Sequence, residues 1–290
     1  MNIGLIGCGN MARAMARGWG RPVLCFDPVA DRARSLAEET GGEALASGAA
    51  VAEQAELVVL CHKPAQLNEV ARELAPHAKA VASILAATPL ADLKSAYEGL
   101  PVYRFLPSLP VEVRVGAVVQ AADPEREPLA TLTGDPAIDL LVGEIFERDE
   151  ETLDLRVHAL FAELGTLVTL DDALIDVAMG LMSCAPAYIA LIAEAQVDAG
   201  VRRGIPPAQA SVLVTETLAG TAELLRRRDY DTLAVRREVT SPGGTTARGL
   251  AALERGGVRA AFSDALDAVL GYGKGSGRRS RGPGPRDERR

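Results

Sequence analysis

An apolar run, Ile3–Ile6, leads straight into Gly7-Cys8-Gly9-Asn10-Met11-Ala12, and helical spacing begins at Met11. A GxGxx[G/A] loop between a strand and a helix predicts the first βα turn of a doubly wound α/β sheet that binds a dinucleotide. Gly7 permits the tight turn, and Gly9 removes a side chain where a pyrophosphate would approach. Ala12 is small enough for close helix–strand packing, and the helix N-terminus faces the anion. The plainer reading is a glycine turn without a ligand. Asp27 follows Gly7 by 20 residues, at the end of a second apolar run. An acid there can hold the ribose hydroxyls of NAD, and with Pro28 at the first helical position it can also cap a helix. Its charge opposes a 2′-phosphate and favours NADH. Arg32 and Arg34 would favour NADPH if they reach that phosphate. The expected cofactor is NADH or NADPH, with Asp27 tilting the balance towards NADH.

The rest of the first ~120 residues continues the alternation of strand and helix signals. Apolar runs at Pro22–Phe26, Leu57–Cys61, Ala80–Leu85, Val102–Leu106 and Val115–Gln120 predict further strands. Ala121–Glu151 has two Asp-Pro pairs and an acidic cluster and looks like an insertion. Helical patterns resume at Leu153–Leu164, with Gly165 suited to end that helix. They dominate from Asp171 onward. The expected organisation is a Rossmann-type α/β domain over 1–122, an insertion or linker over 123–151, an all-α substrate and dimerisation domain over 152–273, and a disordered basic tail over 274–290. Apolar residues on more than one helical face (Leu181, Ile189, Ile192, Val212, Leu213, Leu218, Leu224) exceed what one layer of helices can cover, which predicts a homo-oligomer, a dimer or higher.

A second constellation lies at Val239-Thr240-Ser241-Pro242-Gly243-Gly244-Thr245-Thr246. Pro242-Gly243-Gly244 reads as a turn, and Thr245-Thr246 opens a helix. Free amides there can grip a carboxylate, with hydroxyls as further donors. The alternative is a tight helix–helix turn in which the threonines are caps.

Taken with Gly249-Leu250 and Leu253-Glu254, this stretch closely resembles the signature of the pyrroline-5-carboxylate reductases. Other segments follow in that family's order over nearly the whole chain. Gly7–Ala12 is similar to its glycine loop and Lys63-Pro64 to its lysine–proline pair. Ser83-Ile84-Leu85-Ala86-Ala87 resembles Ser-Ile-Ala-Ala-Gly. Arg104-Phe105-Leu106-Pro107-Ser108-Leu109-Pro110 resembles Arg-x-Met-Pro-Asn-x-Pro, and Ala185-Pro186-Ala187-Tyr188 resembles Gly-Pro-Ala-Tyr. The resemblance implies a helical domain that interlocks with a partner subunit. It also implies NAD(P)H-dependent reduction of Δ1-pyrroline-5-carboxylate to proline. Substrate binding then falls on Ser241, Gly244, Thr245 and Thr246, with Thr246 as the catalytic contact. Cofactor contacts fall on Gly7, Cys8, Gly9, Asn10, Met11, Ala12, Asp27, Lys63 and Ala86. Lys63 is equally suited to closing its loop. Ser183-Cys184-Ala185 replaces the family's Gly-Ser-Gly, which predicts a reshaped turn. This departure keeps two alternatives open: a reductase of another cyclic imino acid, or a non-catalytic dinucleotide-binding relative.

Composition excludes several other classes. The chain of 290 residues carries net charge −8, and the tail Lys274–Arg290 is +5, so the remainder is −13. A nucleic-acid-binding face needs the opposite sign. The uncharged run Val177–Ala193 is short of a bilayer span and contains Ser183 and Pro186, so no membrane partner is expected. The four cysteines form no CxxC and the N-terminus has no signal-peptide pattern, which points to the cytoplasm. The three histidines form no HExxH, so no metal site is expected. His62 follows a strand near the expected cofactor, but packing is the commoner role for a lone histidine.

Overall fold

Strand β1 (Ile3–Ile6) is buried along its whole length, as an all-apolar strand covered on both faces must be. It pairs in parallel with β2 (Leu24–Phe26) on one side and β4 (Leu57–Leu60) on the other. The structure is a computed structural model that describes residues 1–126 and 152–272. The expected linker therefore lies outside the described residues from 127 to 151, and so does the basic tail.

The sheet has eight strands in the order β3-β2-β1-β4-β5-β6-β7-β8. Besides those above they are β3 (Glu43–Ala44), β5 (Val81–Ser83), β6 (Val102–Pro107), β7 (Gly116–Ala121) and β8 (Gly165–Leu170). Only the β6–β7 pair is antiparallel. A connection of eight residues, most of it a 3₁₀ turn at Leu109–Val113, joins them. That is too short for a parallel crossover. Helices α1 (Asn10–Trp19), α2 (Ala30–Thr40), α3 (Gly48–Gln54), α4 (Leu67–Leu74) and α5 (Leu90–Ala96) connect the other strands. Strand order reverses between β1 and β4, so the crevice at their carboxyl ends is the topological switch point.

The predicted strands are all present, with ends shifted by a residue or two. Two more exist that the apolar pattern did not announce. β3 has only two residues, and Gly165, expected to end a helix, opens β8 with φ +139°. Helix α6 (Leu153–Ala162) was expected in the helical domain. Its Val157, Leu160 and Phe161 instead face the sheet core. Phe161 stacks on Phe105 with centroids 3.7 Å apart, and Trp19 Nε1 donates to the Leu160 carbonyl at 2.8 Å. The described chain divides into two compact units, Met1–Pro186 and Ala187 onward. Helix α6 and strand β8 bury their apolar residues against the sheet.

Helix α7 (Ile175–Ala178) runs through a π turn, Met179–Ser183, towards α8 (Ala185–Val201). The Cys184 N–H reaches back to the Met179 carbonyl at 3.0 Å. Pro186 has no N–H to give to the preceding turn, and the widened turn accommodates it. The Ser183-Cys184-Ala185 segment thus runs from the end of the π turn through a bend at Cys184, which immediately precedes α8, into the first residue of that helix. Ser183 Oγ donates to the Pro107 carbonyl at 3.1 Å, fixing the end of β6.

The second unit consists of helices: α8, α9 (Pro207–Arg226), α10 (Thr232–Glu238), α11 (Thr245–Arg255) and α12 (Val258–Tyr272). Among its described residues only Ala210 and Val235 are buried. Leu191 is 64% exposed and Val212 61%. Asp172–Val201 has the length and apolar composition of a membrane-crossing helix, but nothing else in the described residues points to a bilayer.

Candidate functional site

The glycine loop is shaped by sterics before any ligand is considered. Gly7 has φ +98°, and a Cβ there would lie 2.8 Å from the Cys61 carbonyl oxygen. Both facts demand glycine. Its N–H donates to the Phe26 carbonyl at 2.8 Å, tying β1 to β2. Gly9 is different. It is exposed, its φ is −74°, and an added Cβ would meet nothing within 4 Å. The space in front of it is open to an incoming group.

Gly9 is the N-cap of α1, with no side-chain cap and no acid in the first turn. The opening amides around Asn10, Met11 and Ala12 are thus left without a carboxylate of their own. This is the donor set that a pyrophosphate requires. Ala12 is buried against the sheet core.

Asp27 is 8% exposed, and both its carboxylate oxygens are engaged. Oδ2 accepts the Cys8 N–H and Oδ1 accepts the Val29 N–H, each at 2.8 Å. Helix α2 begins at Ala30 with Val29 as N-cap, so Asp27 is not the cap that Pro28 suggested. Each oxygen keeps a second lone pair for a hydroxyl. Arg32 and Arg34 are exposed on α2, and Arg34 pairs with Asp31.

Around the loop, the Cys8 thiol shares a hydrogen bond with Cys25 and is buried, and both effects raise its pKa. Burial likewise raises Cys61. Both stay neutral thiols beside the glycine loop. All four cysteines are free.

Lys63 and Ala86 lie just past the carboxyl ends of β4 and β5. Lys63 is exposed and precedes a 3₁₀ turn, Pro64–Gln66, where its N–H donates to Gln66 Oε1 at 3.3 Å. Ala86 accepts the Thr88 hydroxyl through its carbonyl at 3.1 Å. The next residue, Ala87, has φ +50° without being glycine. Four strand ends of one parallel sheet therefore carry Gly7, Asp27, Lys63 and Ala86, as the sequence predicts.

The second set, Ser241, Gly244, Thr245 and Thr246, lies in the helical unit. Gly243 has φ +67°, and the Gly244 N–H donates to the Ser241 carbonyl at 3.0 Å, closing the turn. A Cβ on Gly244 would collide with Ser241 Oγ. Gly244 is the N-cap of α11, with no side-chain cap and no acid in the first turn. The alternative of threonine caps is not realised. Thr245 and Thr246 are exposed at the start of an eleven-residue helix whose first amides are free of side-chain partners.

Sequence reasoning did not find two features. The Asp27–Cys8 contact spans 19 residues and has no local signal. The buried Arg104 pairs with Asp172 at 2.6 Å and Asp176 at 3.0 Å. Asp172 also accepts the Leu90 N–H at 3.0 Å. The clue would have been an arginine inside an apolar strand.

The sheet order, the glycine loop and the strand-end residues define a Rossmann-type dinucleotide-binding fold with a helical C-terminal region. Residues 2–87 match the family model described as NADP oxidoreductase, coenzyme F420-dependent, and residues 172–274 match pyrroline-5-carboxylate reductase dimerisation. A pyrroline-5-carboxylate reductase of Thermus thermophilus is 34% identical over 280 residues, covering 94% of this chain and 97% of the relative. The solved 1-pyrroline-5-carboxylate reductase of Streptococcus pyogenes superposes with TM-score 0.77 at 27% identity, over 94% of this chain and 98% of that one. The enzyme of Coxiella burnetii gives 0.74 at 26%, over 94% and 97%. The chain belongs to the pyrroline-5-carboxylate reductase family.

Proposed function

We propose that this chain reduces the cyclic imine 1-pyrroline-5-carboxylate to L-proline, the closing step of proline biosynthesis, with NADH or NADPH. The observation that carries the reading is a pair of helix N-termini, α1 and α11, each capped by glycine and neither closed by a side chain or an acid. Two anionic groups need two such seats: a pyrophosphate and a substrate carboxylate. The bound dinucleotide supplies a hydride.

The residues of this chain supply position. Gly9 and the opening amides of α1 hold the pyrophosphate, and Asp27 offers its remaining lone pairs to a ribose. The amides around Gly244, Thr245 and Thr246 fix the substrate carboxylate, with Ser241 holding their turn. The Thr246 hydroxyl hydrogen-bonds the imine nitrogen or the carboxylate. Holding the imine carbon in one orientation replaces a bimolecular encounter with a near-unimolecular one. A protonated imine is already electrophilic, so no strong general acid is required of the chain.

The chain acts as a homo-oligomer through its helical region. With two buried residues among those described, that unit has almost no interior of its own. A second copy laid against Ile189, Leu191, Val212 and Leu213 supplies one. Four free thiols fit a reducing compartment, the cytoplasm.

The deciding experiment is a steady-state assay of NAD(P)H oxidation by the full chain, with pyrroline-5-carboxylate and with pyrroline-2-carboxylate. Turnover of the first is expected to dominate. Dominant turnover of the second would reassign the substrate, and cofactor binding with no turnover of either would make the chain a non-catalytic binder.

A further inference from the structure

Asp172 joins two parts of the sheet unit through its two carboxylate oxygens. Oδ1 accepts from the Arg104 guanidinium at 2.6 Å, and Oδ2 accepts the main-chain N–H of Leu90 at 3.0 Å. Arg104 lies on β6 beside Ser83, the last residue of β5, and its side chain is 2% exposed. A guanidinium buried to that degree must be paired, and Asp172 and Asp176 share the task. The two aspartates differ in what else they hold. Among the described residues the Asp176 carboxylate serves Arg104 alone, at 3.0 Å. Asp172 goes on to Leu90, 82 positions away in the chain.

Leu90 opens α5, whose N-cap residue, Pro89, brings no side-chain cap. The segment Ile84–Pro89 joins the end of β5 to this helix and carries Ala86. On the strand side it is tied by the Ile84 N–H to the Leu60 carbonyl and by the Leu85 N–H to Ser83 Oγ, each at 3.2 Å. On the helix side the tie is Asp172. Between the two ends Ala87 stands at φ +50°, a conformation that a residue with a Cβ keeps only where its surroundings impose it. A dinucleotide with its pyrophosphate at α1 and its adenosine ribose beyond β2 extends its other half over β4 and β5, where this segment leaves the sheet. We propose that Asp172, oriented by Arg104, is a positioning residue that holds Ile84–Pro89 in the shape that receives the nicotinamide half of the dinucleotide. This rests on the dinucleotide reading above and adds to it a residue that touches neither cofactor nor substrate. Without the tie the first turn of α5 frays and the segment samples other shapes. The bound cofactor must then select the competent one, which lowers its apparent affinity by the competent fraction.

The test is calorimetric titration of the full chain with NADH and with AMP, alongside steady-state kinetics, for wild type, Asp172→Ala, Asp172→Asn and Asp176→Ala. Each alanine variant removes one partner of Arg104 and leaves the other, so both should lower the urea midpoint. Asp172→Ala alone is expected to weaken NADH about three- to tenfold, the usual worth of one hydrogen bond. AMP, which ends short of β5, should bind it as it binds wild type. The KM for NADH should rise by the same factor, with the KM for pyrroline-5-carboxylate unchanged. Asp172→Asn keeps the shape but has one acceptor oxygen for two donors, and its NADH affinity should lie between wild type and the alanine variant. Should Asp172→Ala fail to fold, Asp172→Asn is read by the same criteria. NADH affinity unchanged at position 172, AMP weakened as much as NADH, or an equal loss of NADH in Asp176→Ala overturns the proposal, since a merely structural ion pair acts on both ligands and through both aspartates alike. Absence of binding of either ligand by wild type overturns the dinucleotide reading itself, and that result is seen before any variant is made.

Discussion

Asp27 Oδ2 accepts the main-chain N–H of Cys8 at 2.8 Å, so the acid at the end of β2 holds the glycine loop in place. In the proposed dinucleotide site, the charge that orients this loop is also the one that would oppose a 2′-phosphate.

Asp27→Ser separates the two roles. Removing the charge is expected to raise the NADPH/NADH ratio of kcat/KM about tenfold, roughly the effect of one charge contact at an exposed ribose. Loss of two charge-assisted hydrogen bonds should also lower stability by about 1–3 kcal/mol. An unchanged ratio with lowered stability would leave Asp27 as a loop tie alone.

Thr246→Ala should lower kcat/KM by one to two powers of ten, about one or two kcal/mol of transition-state contact. Thr246→Ser keeps the hydroxyl and should retain most of the rate. Kinetics of the alanine variant indistinguishable from wild type would remove Thr246 from the site.

Ala87 occupies the left-handed region at φ +50°, where the family's Ser-Ile-Ala-Ala-Gly pattern has glycine. A Cβ costs about 1–2 kcal/mol there, offset in part by the lower entropy of the unfolded alanine chain. Ala87→Gly is expected to stabilise the protein by about 0.5–1 kcal/mol. Urea unfolding measures it, and a lower midpoint would contradict the strain.

Acid should destabilise the fold through its histidines. His158 is 3% exposed; its Nδ1 lies 2.9 Å from Gln120 Oε1, and burial lowers its pKa below the ordinary 6.5. His62 is shifted the same way. Below pH 6.5 the unfolded chain takes up protons that the folded chain resists. Stability contributed by the neutral rings is thus present above 6.5 and lost as pH falls towards the folded values. The urea midpoint should fall between pH 7.5 and 5.5, and by less in His158→Gln. Equal pH slopes for the two proteins would rule His158 out.

Sequence alone determined the features set by local chemistry. Gly7 is required by a positive φ and Gly243-Gly244 by a closed turn, and each can be read within a few neighbouring residues. The apolar runs fixed the central strands because a strand buried on both faces has no room for polar residues. Long-range packing decided the rest. The pattern of α6 reads as helix, but only the meeting of Phe161 with Phe105, 56 positions away, assigns it to the sheet unit. Asp27 shows its preference for an acid locally, but its partner is the Cys8 amide, which arrives when β1 and β2 pair. Arg104 reads along the chain only as an odd residue in an apolar strand, and the fold alone brings Asp172 and Asp176, some seventy positions on, to its buried guanidinium.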